Sequence, residues 1–373
     1  MANALDYLKW RGDISFEHSA FNEIDSFICS QLSTPDYTDI VSVSGQAVRL
    51  DKVVKEYFKR HKKTDSLGAL QSTSIMPLLE TCEKTTRFGK EISLQHAANR
   101  IIQENTEQFC AVTLILPDNS IVVSYRGTDD TLIGWKEDCE LATEKAVPAQ
   151  KDAADYLAYV ASIHPGQIRL CGHSKGGNLA ISAASSVSPE IRKRIVEVYN
   201  FDGPGFNVQF LTSEGYLEMK DRITTVISQN SVVGLLLNQV GRIEIVNSTV
   251  SGPLAHDGFY WLCEGRNFIK CTKLSSLSET MDKALKTTIE MMSDDEKHQF
   301  IEELFGILMS RGSITITDFI NLKKTEIAKI VIELNNGKKV QGFIHQLMKE
   351  LSLVIKDNTG KSLEEIIQKL PRL

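Results

Sequence analysis

The sequence predicts an α/β chain: a mostly parallel sheet flanked by helices, with a helical N-terminal segment before it and a helical C-terminal appendage after it. Three observations carry that prediction. Between residues 109 and 246, short apolar runs alternate with helix-compatible stretches, a rhythm that needs crossover connections and hence parallel strands. Before about residue 106 and after about Ser278, apolar residues recur instead at helical spacing. A chain of 373 residues is also long enough to bury a large core.

In chain order, apolar residues at helical spacing fill 21–28 and 53–58, and Ser93 can cap a helix carrying Ala97, Ile101 and Ile102. Residues 109–116 read as a strand, Pro117-Asp-Asn-Ser120 as a turn and 121–125 as a second strand. A helix from about Ala149 to Ile163 stops at Pro165-Gly166. Further strands are expected at 168–171, 196–201, 223–227 and 243–246, with a helix at 176–187. Ser293-Asp-Asp-Glu296 is a capping box ahead of Phe300, Ile301, Leu304, Phe305 and Leu308, and Ser362-Leu-Glu-Glu365 resembles another. Asn335-Asn-Gly337 signals the turn of a short hairpin. These signals divide the chain into 1–277, one domain that includes the helical start, and 278–373, a mainly helical region.

Composition narrows the classes of function. With 42% hydrophobic and 24% charged residues the chain reads as soluble and globular. A formal charge of −6 gives no basic footprint for nucleic acid. Seven scattered cysteines with no Cys-x-x-Cys pair suit free buried thiols better than a disulfide framework or a zinc site. The first residues lack a secretory signal, and no apolar run reaches the ~18 residues of a membrane span, so a cytoplasmic protein is expected.

The chemistry centres on Leu170-Cys-Gly-His-Ser-Lys-Gly-Gly177. A hydroxyl is a weak nucleophile, so it must be presented on a tight strand-to-helix turn where a base can reach it. Gly172 and Gly176, two residues either side of Ser174, let strand and helix approach without Cβ clashes. A glycine-rich turn that merely contains serine is the competing reading. The apolar strand before it and the small-residue helix after it favour the elbow.

Acyl transfer also needs donors for the negative oxygen that develops. Lys175, first on the following helix, can offer its backbone N–H, and Thr128 in Tyr125-Arg-Gly-Thr-Asp a second N–H and a hydroxyl. Alone, that segment would read as a capped turn. Of eight histidines, His256, on a Gly-Pro-shaped loop after the last strand, is the expected base. His18, His61, His96, His298 and His345 fall in expected helical regions, His164 at the wrong end of a strand, and His173 beside the nucleophile. Asp202, in Phe201-Asp-Gly-Pro204, ends the strand after the elbow helix and could orient His256; a turn-forming role is its alternative. Asp257 is badly placed to reach its neighbour's ring.

These motifs resemble the class 3 (fungal-type) lipases of the α/β-hydrolase superfamily: Tyr125-Arg-Gly-Thr128 with Trp135 and Asp138, then Gly-His-Ser-Lys-Gly-Gly, then His256 before Tyr260-Trp261. The likeness spans roughly residues 109–262. It implies that Thr128 helps form the oxyanion hole and that Ser174 and His256 are catalytic. The arrangement is also similar to a bacterial lipase-like family with a signature like Asp6-Tyr-Leu-Lys-Trp-Arg-Gly-Asp13, which extends the likeness to 1–262. One departure is plain. Class 3 lipases carry the triad aspartate in the segment matching Ser228-Gln-Asn-Ser231, where this chain has Ser231. Either the acid has moved to Asp202 or the triad is incomplete.

The leading expectation is a serine hydrolase that cleaves carboxylic esters through an acyl-enzyme, without metal or organic cofactor. Lipid or acyl-ester substrates are implied by resemblance. The alternatives are an acyltransferase or thioesterase using the same nucleophile, or a catalytically impaired hydrolase fold kept as an interaction module.

Overall fold

Strands rich in β-branched residues on both faces need cover on both sides, and the fold supplies it. The computed structural model describes residues 2–69, 71–143 and 146–359. Its strands are β1 (Val48–Arg49), β2 (Ser93–Ile102), β3 (Glu107–Ile115), β4 (Ile121–Tyr125), β5 (Ile168–His173), β6 (Ile195–Phe201), β7 (Ile223–Ser228), β8 (Arg242–Val246), β9 (Cys263–Glu264), β10 (Asn267–Phe268) and β11 (Lys270–Cys271). Among the described residues the main sheet runs β1-β2-β3-β4-β5-β6-β7-β8-β11. β4 to β8 are parallel and neighbour one another in chain order. The edges are antiparallel: β1, β2 and β3 on one side, β11 on the other.

The helices follow in the same way. The N-terminal four are α1 (Ala4–Arg11), α2 (Glu23–Leu32), α3 (Leu50–Arg60) and α4 (Ile75–Lys84). Those between the sheet strands are α5 (Leu132–Glu140), α6 (Pro148–Ile163), α7 (Lys175–Ser186), α8 (Pro189–Arg192), α9 (Val208–Leu211) and α10 (Glu214–Met219). The last five are α11 (Ser276–Glu290), α12 (Asp294–Met309), α13 (Ile316–Ile320), α14 (Lys324–Asn336) and α15 (Lys338–Thr359).

Alternation along the strands divides the core into two layers. Val112, Leu114, Val122, Cys171 and Phe201 face the N-terminal helices, packing with Phe27, Ile28 and Leu79. Phe109, Ala111, Val123, Tyr125 and Leu170 face the other way, against Leu157 and Val160 of α6 and Ala180 and Ala184 of α7. A smaller cluster joins Leu132 of α5 to Ile301 and Phe305 of α12. The Ser293–Glu296 capping box is formed. Among the described residues no helix is long and apolar enough to cross a membrane.

Two expectations fail. The segment from Ser93 is a strand, so His96 lies in a sheet and not in a helix. Its apolar residues at 94, 97, 98, 101 and 102 look helical because a bulge between Gln95 and Ala98, with His96 at φ 57°, interrupts the two-residue alternation. The Asn335-Asn-Gly337 signal marks no hairpin: α14 ends at Asn336, Gly337 carries the break, and α15 begins at Lys338. The second capping box, at Ser362, lies outside the described residues.

Candidate active site

β5 runs straight into α7 with Ser174 as the single residue between them. Its φ of 56° and ψ of −135° lie where side chains are rarely tolerated, the strained turn expected of an exposed nucleophile. The flanking glycines are required by contact. A Cβ on Gly172 would sit 2.1 Å from the Gly176 backbone, and one on Gly176 would sit 2.1 Å from the Tyr125 carbonyl oxygen. Strand β4, strand β5 and the first turn of α7 are therefore pressed together at backbone distance.

The loop after β4 crosses directly over this turn. A Cβ on Gly127 would lie 2.7 Å from the His173 carbonyl oxygen and 3.1 Å from the Ser174 Cβ. That brings Thr128 beside the elbow, where its hydroxyl donates to Asp138 on α5 and its carbonyl accepts from Gln71 Nε2 at 2.8 Å. Burial pushes the Asp138 carboxyl up to about 6, against the opposing pull of the Lys175 ammonium and the Thr128 hydroxyl. Lys175 opens α7, so its N–H has no intrahelical acceptor. Its side chain is fully buried and bonds Glu137 Oε2 at 2.8 Å and the Gln108 carbonyl at 2.9 Å.

Asp202 follows β6 with φ 54° and is fully buried. The sheet register carries it to the elbow, because Ser174 N donates to Phe201 O at 2.9 Å. Its Oδ2 accepts from His256 Nδ1 at 2.7 Å and from the Ser231 hydroxyl at 2.9 Å, and its Oδ1 from Ser228 N at 3.2 Å. Ser231 thus serves as a hydroxyl donor to the buried Asp202 carboxylate. Gly234 N in turn donates to Ser231 Oγ at 2.9 Å, fixing that hydroxyl.

His256 sits on a short 3₁₀ turn, Gly252–His256, a quarter exposed and facing the elbow. With Nδ1 committed to Asp202, its Nε2 is the ring nitrogen which that bond leaves uncommitted. A feature the sequence did not reveal holds it there. The His173 ring lies 4.6 Å from that of His256, and its Nε2 bonds the His256 carbonyl oxygen at 2.7 Å. Because a carbonyl only accepts, His173 Nε2 carries a proton. Burial and the neighbouring His256 lower His173 to about 3, so the ring is neutral. Among the described residues no hydrogen bond joins the Ser174 hydroxyl to His256; such contacts commonly tighten only when substrate binds.

The remaining histidines lie elsewhere. His96 Nε2 meets His164 Nε2 at 3.1 Å, and His164 precedes the start of β5, the end opposite Ser174. Glu137 was missed in the sequence. A lysine placed directly after an elbow serine and heading into a core calls for a buried carboxylate, and Glu137, beside the motif residue Asp138, was the available signal.

A sequential parallel β4–β8 sheet, a strand–serine–helix turn at β5 and a histidine after the last parallel strand define a lipase-like α/β-hydrolase fold. The Mbeg1-like family model matches residues 82–306, more than half of the chain, and the chain belongs to that family. No curated protein matches the sequence. Solved structures similar to it include M37 lipase, at 14% identity over 58% of this chain and 70% of that one, with a TM-score of 0.37. A Rhizomucor miehei lipase propeptide complex shares 11% identity over 76% and 88%, with a TM-score of 0.35. A triacylglycerol lipase from Penicillium expansum shares 11% over 65% and 83%, with a TM-score of 0.33.

Proposed function

We propose that the protein is a serine hydrolase that cleaves carboxylic esters of acyl or lipid type through an acyl-enzyme. The observation that carries this reading is the 2.7 Å bond from His256 Nδ1 to a fully buried Asp202, formed beside an elbow serine at φ 56°. In the proposed cycle His256 Nε2 takes the Ser174 proton as Oγ attacks the ester carbonyl. Asp202 holds the neutral ring in its Nδ1–H tautomer and then stabilises the imidazolium. The oxyanion is held by the backbone N–H groups of Lys175 and Thr128, the Thr128 hydroxyl being donated to Asp138. His256 then protonates the departing alcohol, and water, deprotonated by the same ring, releases the acid and restores Ser174. No step calls on a cofactor.

The test is hydrolysis of p-nitrophenyl acyl esters by the purified chain. Turnover by the wild type that disappears in Ser174→Ala, with an unchanged melting temperature, is the expected result. A folded wild type that hydrolyses no chain length from acetate to palmitate would contradict the proposal.

A further inference from the structure

We propose that the buried Glu137–Lys175 ion pair positions the oxyanion hole, making the Glu137 carboxylate and the Lys175 ammonium positioning residues for acyl transfer. The inference rests on the reading that Ser174 is the nucleophile. Both side chains are fully withdrawn from solvent. Glu137 Oε2 accepts from Lys175 Nζ at 2.8 Å and from Gln108 N at 3.0 Å, while Oε1 accepts from Ala149 N at 2.9 Å. Lys175 Nζ also donates to the Gln108 carbonyl at 2.9 Å. One carboxylate therefore joins β3, the start of α6 and the start of α7 to its own helix, α5.

Stability alone does not account for such a pair. Desolvating two charges costs enough that apolar residues of similar volume are often as stabilising or more so. Location does account for it. Lys175 supplies the backbone N–H expected to face the oxyanion, and its side chain anchors that first peptide of α7 to α5. The next residue of α5, Asp138, accepts the Thr128 hydroxyl and lies 3.9 Å from the same ammonium. Both donors of the hole thus hang from two consecutive residues of one helix, with Lys175 Nζ as their common cation. Releasing the ammonium frees the α7 end and the α5 end to shift independently, and small displacements of reacting groups are costly.

Three variants test this: Lys175→Met, which keeps the backbone N–H, Glu137→Gln, and the double substitution. Urea denaturation, kcat and KM on a p-nitrophenyl ester, and the rate of fluorophosphonate labelling are measured for each. Each single variant is expected to lose stability, because it leaves a buried charge without its 2.8 Å partner, and the double to regain most of it. The kcat and the labelling rate are expected to fall about 10- to 100-fold in every variant that folds, the double included, with KM little changed. A double variant whose rate returns with its stability overturns the inference and leaves the pair as scaffold. A folded wild type that the probe does not label overturns the nucleophile reading, and the inference with it.

Discussion

Among the described residues two ion pairs have both side chains completely buried, Asp25–Arg87 in the N-terminal segment and Glu137–Lys175 under the elbow. The first is a staple. Arg87 Nε donates to Asp25 Oδ1 at 2.8 Å, and its other nitrogens reach the carbonyls of Ile14, Ser19 and Ala20 at 3.2, 2.9 and 3.1 Å. Its planar fork gathers a loop that has no regular structure of its own and ties it to α2. The second pair joins elements that already have partners: β3 in the sheet, α6 and α7 against it. A single-cation lysine suffices there, since what it fixes is one peptide beside Ser174. Equal burial therefore serves two ends, closing a chain segment in one place and aligning donors in the other.

That division can be broken by substitution. The largest effect is expected at the site itself: Asp202→Asn leaves the shape intact but loses the acceptor that sets the His256 tautomer, and kcat falls about 10⁴-fold. Its melting temperature stays near that of the wild type, because the amide oxygen keeps the bond from Ser228 N and the amide NH2 can donate to Ser231 Oγ. Arg87→Met is expected to behave in the opposite sense, losing about 3–5 kcal/mol in urea denaturation as Asp25 is left without its partner. The labelling rate of its folded fraction stays unchanged, and a fall in that rate would erase the distinction between the two pairs. Ser231→Ala removes one donor to a buried carboxylate and is expected to cost about 1.5–3 kcal/mol by the same denaturation measurement.

The last effect concerns pH. Asp138 titrates near 6 in the folded chain against an ordinary value of 3.8. Between those values the folded state holds a proton that the unfolded state has lost. Its share of stability is therefore present below about pH 4 and falls as pH rises to 6. Asp138→Asn is expected to flatten the stability profile across that window. Glu107, pushed up to about 7 by burial and by Asp152, contributes a slope of the same sign and leaves a remainder in the variant.

The parts legible in the sequence were those with local causes. The strands from β4 to β8, helices α6 and α7 and the α12 capping box each carry their pattern within a few residues. The elbow was legible because Gly172 and Gly176 must be glycine wherever such a crossing occurs. β2 was not, because its partner β3 and its bulge at His96 are set by pairing across the sheet and not by its own periodicity. Asn335-Asn-Gly337 carries turn chemistry, but the helices packed around it decide that the turn links α14 to α15. At the site, Ser231 could be read only as a missing acid. Its bond to Asp202 depends on β6 and β7 lying side by side. His173 belongs to the same class, while Glu137 carries only the faint signal of its place beside Asp138; both are defined by what the fold brings to them.

Underlying these predictions is the proposal that Ser174 is a nucleophile activated by His256 and Asp202. It is met most directly by incubating folded protein with a fluorophosphonate probe and locating the adduct by peptide mass spectrometry. A single adduct on Ser174, formed rapidly in the wild type and lost in His256→Ala, is the predicted result. An adduct elsewhere, or equal labelling of Ser174 with and without the imidazole, would contradict the account.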